Sequence, residues 1–383
     1  LCVNACNFDA IKFTNDFENA VFDRSKLVLH LNEEVYKGGS LPNLVDGGAD
    51  WEVGTFNTKK NIGETINVQV QVWHGHEISD IKVEGATLVR STQVTDPETK
   101  SVYEKQTYRL TSQTVKMVGG LAILHCERNG ITSLDISHSK IFDLICSDND
   151  ITELNTTGDE QLSRLYCHFN QLQSLDVSTN YLLSELSCSY NNISTLKLPT
   201  AGGLRYLYCY GSKLKELNVS DMESLREVHC SHNEMTSFIA NNNKELRIIT
   251  CNNNKISKIN VAANPKLIKL DCYSNNIELS QMGQLVNNLP VLSNPAANEG
   301  IFTVVSDNND GNKISEQQKF TAKKKGWKVK TTNNPSSSIS TTENGENQPR
   351  VVFDLNGREV NENQVKGVVI IKQGGKTYKK VVR

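Results

Sequence analysis

The 383-residue sequence lacks the features that would place it in most functional classes. No run approaches the ~20 consecutive apolar residues of a membrane-spanning helix. Formal net charge is only −2, so no overall field directs the chain to nucleic acid or to an anionic membrane. There is no G-x-S-x-G, no H-E-x-x-H and no glycine-rich phosphate loop. No C-x-x-C pair or clustered Cys/His spacing suits zinc. Leu1 opens the chain with neither a methionine nor an apolar leader, so export is expected to use a signal peptide that this chain does not include. No catalytic residue, metal or cofactor is therefore assigned, and the chain is read as a binding module, not an enzyme.

What is present is periodic. Eight of the ten cysteines fall at Cys126, Cys146, Cys167, Cys188, Cys209, Cys230, Cys251 and Cys272. The first interval is 20 residues and the other six are 21. A disulfide framework has no reason to be that regular, whereas a stacked coil does. Cys2 and Cys6 stand apart, and their redox state is left open. Aligned on the cysteines, the chain reads L-x-x-L-x-C-x-x-N-x-L-x-x-L. One unit is Leu162, Leu165, Cys167, Asn170, Leu172 and Leu175; the next is Leu183, Leu186, Cys188, Asn191, Ile193 and Leu196.

This pattern resembles the leucine-rich-repeat family, specifically its internalin-J-like, cysteine-ladder class found on bacterial surfaces, including those of Bacteroidetes. The resemblance implies a solenoid with a parallel sheet on its concave face and a short irregular or 3-10 convex side. Within x-L-x-C-x the period is two, so leucine and cysteine share the inner face of a short strand. Stacked units then bury a core that no single repeat closes alone. A thiol is a small, readily buried apolar group. In-register thiols point the same way, which disfavours disulfide torsions, so eight reduced, buried thiols are expected. The asparagines three residues after each cysteine should bond the backbone of adjacent coils. Ser212 is the one departure and should loosen its turn.

Six segments are expected. Residues 1–49 receive no firm structure. Residues 50–119 read as a β-sandwich-like cap, with alternation clearest from Thr65 to Val72. Residues 120–278 hold the repeats. Residues 279–330 read as an α/β C-terminal cap, with a helix from Gln281 to Leu289, a strand from Ile301 to Val305 and a capping box at Ser315 and Gln318. Lys323, Lys324 and Lys325 are read as a solvated helix face in preference to a basic patch. Residues 331–349 read as a polar linker, and 350–383 as a small β-unit with a turn at Asn356-Gly357. Asp354, Gly357, Arg358, Gly367 and the closing Lys380-Val381-Val382 resemble the sorting domain of type IX secretion cargo. The resemblance implies an extracellular Bacteroidetes protein, although Val369 stands where that family usually has an aromatic residue.

The outward strand positions describe the concave face. Six of the eleven tyrosines and four of the eight histidines fall on the 32 positions that four sites in each of eight units define. The candidate ligand-binding set is Arg164, Tyr166, His168, Phe169, Tyr190, Tyr206, Tyr208, Tyr210, His229, His232, Asp271 and Tyr273. Such rings offer apolar area with a polar tip, the chemistry of protein and sugar contacts. The alternative is that stacked aromatics only stabilise neighbouring strands, and both roles can hold together. His229 and His232 lack a third metal ligand. Ser306 to Gly311 resembles a calcium loop, but with Ser306 first and Gln317 twelfth a solvated turn is the better reading. The favoured function is an adhesin-like module for a host or bacterial extracellular protein, acting as a monomer at the cell surface or secreted. The alternative is a polysaccharide-binding surface protein.

Overall fold

The computed structural model describes residues 52–95, 102–200, 203–292, 300–306, 310–331, 350–353, 360, 367–373 and 376–382. Its spine is a parallel sheet built from one strand per coil: Leu121–His125, Asp143–Ile145, Arg164–Tyr166, Glu185–Ser187, Tyr206–Tyr208, Glu227–His229, Ile248–Thr250 and Lys269–Asp271. Each pairs in register with its neighbour, so Leu165 lies beside Leu186 and Leu186 beside Leu207. Cysteine continues the ladder, as Cys167 N–H donates to Ser187 O at 2.8 Å. The chain is a parallel β-solenoid of the leucine-rich-repeat type.

The core follows from the repeat. Leu165, Leu186, Leu207, Val228 and Ile249 are buried from successive coils, with the eight cysteines beside them. All eight ladder thiols are free and buried. Burying one such aliphatic side chain is worth about 1.5–3 kcal/mol, too little for any single coil to offset its own ordering entropy. Burial also pushes the Cys188 thiol up to about 12, so it stays protonated and unreactive at neutral pH.

Two residues after each cysteine the backbone turns into the left-handed region. Arg128, Asp148, Phe169, Tyr190, His232, Asn253 and Ser274 have φ between 52° and 61°, and Gly211 has φ 66°. The next position supplies the clamp. Asn191 Nδ2 donates to Cys167 O and Cys188 O, both at 3.0 Å, while its Oδ1 accepts from Leu172 N at 3.0 Å. Asn170, Asn233 and Asn275 repeat the arrangement. A second polar ladder lies ten residues further on, where Asn180, Asn243 and Asn264 are buried and tie two coils through their amides. The return side carries short parallel strands of its own, such as Ser174–Asp176 beside Thr195–Lys197.

The N-terminal strands are β1 (Glu52–Thr58), β2 (Thr65–Val72), β3 (Lys82–Glu84), β4 (Ala86–Thr95), β5 (Val102–Leu110) and β6 (Thr114–Val118). They extend the solenoid's own sheets instead of forming a separate stack. Strand β2 pairs antiparallel with Leu121–His125, and β1 pairs antiparallel with Ile131–Asp135. Strands β5 and then β4 continue the long sheet beyond β2. Phe56, Ile66, Val68, Leu110 and Met117 join the repeat core as one hydrophobic cluster. The open end of the first coil is thereby covered, as a solenoid requires.

At the other end, Gly300–Val305 pairs parallel with Lys269–Asp271. Val304 takes the place of the ladder cysteine and Asn312 that of the ladder asparagine, bonding Cys272 O, Val304 O and Ile277 N. Helix α1 (Leu279–Asn288) buries Met282, Leu285 and Val286. Helix α2 (Glu316–Lys324) starts at Ser315, whose hydroxyl and Gln318 complete the capping box. Lys325 is not part of a solvated face: its Nζ donates to Asn287 O and Leu289 O, closing the end of α1. Asp310 likewise is buried, not solvated, and its carboxylate accepts from the backbone N–H of Ser274, Ser306 and Asn312 at 2.7–2.9 Å. Strands Arg350–Phe353, Gly367–Gln373 and Lys376–Val382 form a separate antiparallel sheet. Cys2, Cys6, residues 1–49 and the Asn356-Gly357 turn lie outside the described residues. Among the described residues no helix is long and apolar enough to cross a membrane.

Candidate functional site

Strand register fixes what the outer face of the long sheet presents. One lateral row runs Tyr166, Ser187, Tyr208, His229, and the row two residues earlier runs Arg164, Glu185, Tyr206, Glu227. One row thus carries three rings and a single serine, and the other sets Tyr206 between two glutamates.

Five of the aromatic candidates meet in one cluster. Phe169, Tyr208 and Tyr210 form its buried part, with Tyr190 and Tyr206 packed against them half-exposed. Phe169 stacks on Tyr190 with centroids 5.0 Å apart and planes 14° from parallel, and Tyr210 meets Tyr190 edge-on at 5.3 Å. Tyr208 stacks on His229 at 4.9 Å. Gly211 makes this possible. A Cβ there would sit 2.6 Å from the Tyr190 ring, and φ of +66° already favours glycine. Phe169 and Tyr190 hold the same left-handed conformation without that freedom, at a cost of order 1–3 kcal/mol each. Continued ladder bonds, Phe169 N to Ser189 O and Tyr190 N to Tyr210 O, help hold them there.

Polar contacts knit the same face. Arg164 makes a two-pronged contact with Asp143 and lies over the Tyr166 ring at 5.4 Å. The Tyr166 hydroxyl donates to Glu185 Oε1 at 2.6 Å. His229 lies 3.2 Å from Glu227 and 3.1 Å from the Thr250 hydroxyl. His232 contacts Asn253 and Asp271 pairs with Lys269. His168 is wholly buried beside Ser187, and burial lowers its pKa to about 4, so it is a neutral packing group. Tyr273 lies two coils beyond His229. Among the described residues no three or more His, Cys, Asp or Glu side chains gather as metal ligands.

Of the twelve candidates, Tyr166, His168, Phe169, Tyr208 and Tyr210 are therefore buried. Arg164, Tyr190, Tyr206, His229, His232, Asp271 and Tyr273 remain part-exposed. Sequence reading missed two features. One is the second asparagine ladder, whose signal was the spacing of Asn243 and Asn264, again 21 residues. The other is a cleft of about 340 Å³ where β2 and β5 meet the first coil. It draws on three non-sequential strands and had no local signal.

No protein-family model and no curated protein matches the chain. Among solved structures, it is similar to the functional domain of InlJ from Listeria monocytogenes, which includes a cysteine ladder. That match has 24% identity and a TM-score of 0.44, covering 56% of this chain and 50% of the other. The leucine-rich effector YopM from Yersinia pestis matches at 18% identity and a TM-score of 0.36, covering 46% of each chain. The internalin InlF from Listeria monocytogenes matches at 17% identity and a TM-score of 0.28, covering 58% of this chain and 85% of that one. The chain spans about half the length of the first two.

Proposed function

We propose that this chain is a non-catalytic recognition module, adhesin-like and displayed at the outer cell surface or secreted, that binds an extracellular protein through the outer face of the long sheet. The supporting observation is the aromatic cluster itself. Its buried rings form a rigid floor, and the half-exposed Tyr190 and Tyr206 stand on that floor beside Arg164, Glu227 and His229. Rings fixed before contact lose little rotamer entropy on binding, which is how aromatic anchors dominate protein interfaces. Residues 50–119 and 279–330 serve in this reading as caps. The 350–383 tail is the resemblance on which an extracellular Bacteroidetes origin and a sorting role rest.

The second reading, a polysaccharide ligand, draws on the same rings, because tyrosine faces also stack on sugars. Binding of the intact protein and of the Tyr190→Ala/Tyr206→Ala variant to arrays of extracellular-matrix proteins and glycans separates the two. A protein hit lost in the variant, with unchanged melting temperature, supports the proposal. Hits confined to glycans transfer the role to polysaccharide capture, and hits equal in both proteins overturn this face as the site.

A further inference from the structure

The cleft between the N-terminal strands and the first coil is a built polar site separate from the tyrosine cluster. Its floor is clamped by Asn129, which accepts from Asn67 N at 2.9 Å and donates to Asn67 O at 2.7 Å. Asn129 thus does for β2 what the other ladder asparagines do between coils. Register brings Lys105, Gln69 and His125 into one lateral row, as Gln69 pairs with Lys105 on one side and His125 on the other. Glu127 and Arg128 complete the lining, with Val68 at the base. Arg128 is held in place by Asp148, at 2.7 and 3.1 Å.

The lining contains uncommitted chemistry. Among the described residues, the side chains of Lys105, Gln69 and Glu127 have no hydrogen-bond or ion-pair partner. His125 is more than nine-tenths buried, and its Nε2 makes no hydrogen bond. The Asp143 carboxylate lies 3.4 Å from it but is already engaged by Arg164. Burial lowers the His125 pKa to about 4, so at neutral pH the ring is a neutral hydrogen-bonding group, and Tyr103 covers it at 5.5 Å.

We propose that this cleft binds a uronic-acid residue of an acidic polysaccharide. Lys105 and Arg128 supply the charge for a carboxylate, and Glu127 and Gln69 supply partners for ring hydroxyls. A simple anion or a polyphosphate would leave Glu127 facing like charge. A neutral sugar would leave Lys105 unanswered. A ligand carrying one carboxylate and several hydroxyls satisfies both ends. The volume, about 340 Å³, is near the lower bound of small-ligand sites and suits one ring with a neighbour leading out.

The test uses the full chain with glucuronic acid, galacturonic acid and a uronate disaccharide as probes, followed by saturation-transfer NMR and calorimetry. Glucose and acetate are the controls. Saturable uronate binding is expected, weakened at least about tenfold by Lys105→Met and by Glu127→Gln, since each removes one charge-assisted bond. Both positions are at least part-exposed, and unchanged thermal melts of the variants establish that folding is intact. Tyr190→Ala/Tyr206→Ala should bind uronate as the parent does. No saturable binding, equal binding of glucose, full competition by acetate, or undiminished binding in both charge variants overturns the proposal.

Discussion

Ser212→Asn should stabilise the solenoid, and the structure gives the size of the effect. In the other coils each ladder cysteine carbonyl accepts from two asparagine amides, its own and that of the next coil, as Cys167 O does from Asn170 and Asn191. At the fifth coil this breaks down. Cys188 O receives only Asn191 and Cys209 O only Asn233. The buried Ile193 N–H, whose counterpart Leu172 N bonds to Asn191 Oδ1, has no acceptor among the described residues. The Ser212 hydroxyl is itself buried without a partner. An asparagine side chain in its place would supply one acceptor and two donor contacts in the geometry its neighbours already use.

Satisfying a buried orphan amide is worth about 1–3 kcal/mol and each added bond about 1 kcal/mol at most. Against this stands the ordering of a longer side chain, up to about 1 kcal/mol. A net gain of about 2 kcal/mol is expected, which raises the melting temperature by roughly 4–8 °C for a body of this size. Chemical denaturation and a thermal melt give the magnitude. Hydrogen exchange at Ile193 gives the location, with protection increased roughly 30-fold if local opening carries the full gain. Asn191→Ser is the reciprocal variant and should cost about 2–3 kcal/mol. If Ser212→Asn is neutral with Ile193 exchange unchanged, or if Asn191→Ser is tolerated, the asparagine clamp does not hold the coils as reasoned.

Gly211→Ala should destabilise by about 1–3 kcal/mol, because the new methyl meets the Tyr190 ring 2.6 Å away at positive φ; near-ultraviolet dichroism should show the tyrosine cluster loosened, and an unchanged spectrum and melt would refute the packing. Cys188→Ser should cost about 1–3 kcal/mol by burying a hydroxyl in an apolar site, and native protein should react with thiol reagents far more slowly than unfolded protein at pH 8; rapid labelling of all eight ladder thiols would refute the buried ladder. Asp159→Asn should change the pH dependence of stability. Burial raises the Asp159 carboxyl from 3.8 to about 7, so its folded state holds the proton more tightly than the unfolded state. Stability from this group is full below about pH 4, falls as pH rises to 7 and is flat above, a loss on the order of 4 kcal/mol. The Asp159→Asn variant lacks that loss but forfeits one acceptor, so a gain of about 1–2 kcal/mol at pH 8 that disappears below pH 5 is expected; equal stability of the two proteins at pH 8 in urea titrations would refute it.

Much of the fold is legible because the repeat writes the same physics eight times. The positions of Leu165, Cys167 and Asn170 recur at a spacing of 20 or 21 residues, with Val228 and Ile249 for the leucine and Ser212 for the asparagine as exceptions, so inner face, ladder and clamp can be assigned from period alone. The terminal coil is less legible. Val304 and Asn312 do the work of cysteine and asparagine eight residues apart instead of three, with an insertion that hides the phase. The union of β1 and β2 with the solenoid's two sheets also escapes the sequence, because antiparallel pairing of Gln69 with His125 depends on contacts between distant segments that no local pattern records.

The candidate site shows where periodic reading stops. Period two sends Tyr166 and Tyr208 away from the core, yet both are buried, because a residue outside the core is not thereby in solvent when other side chains on the same face close over it. Coils about 4.8 Å apart bring side chains of adjacent units into contact, so Tyr208 is covered by the His229 ring stacked on it and Tyr166 is held by Arg164 and Glu185, whereas Tyr206, with Glu185 and Glu227 on either side, is left part-exposed. Exposure at an outward position therefore depends also on the residues one repeat before and one repeat after it. That relation is written in the sequence at a distance of 21 residues, and it divides the aromatic enrichment into two classes: His168, Phe169 and Tyr210, which are buried, and Tyr190, Tyr206 and His229, which are part-exposed and which the proposed function takes as its surface.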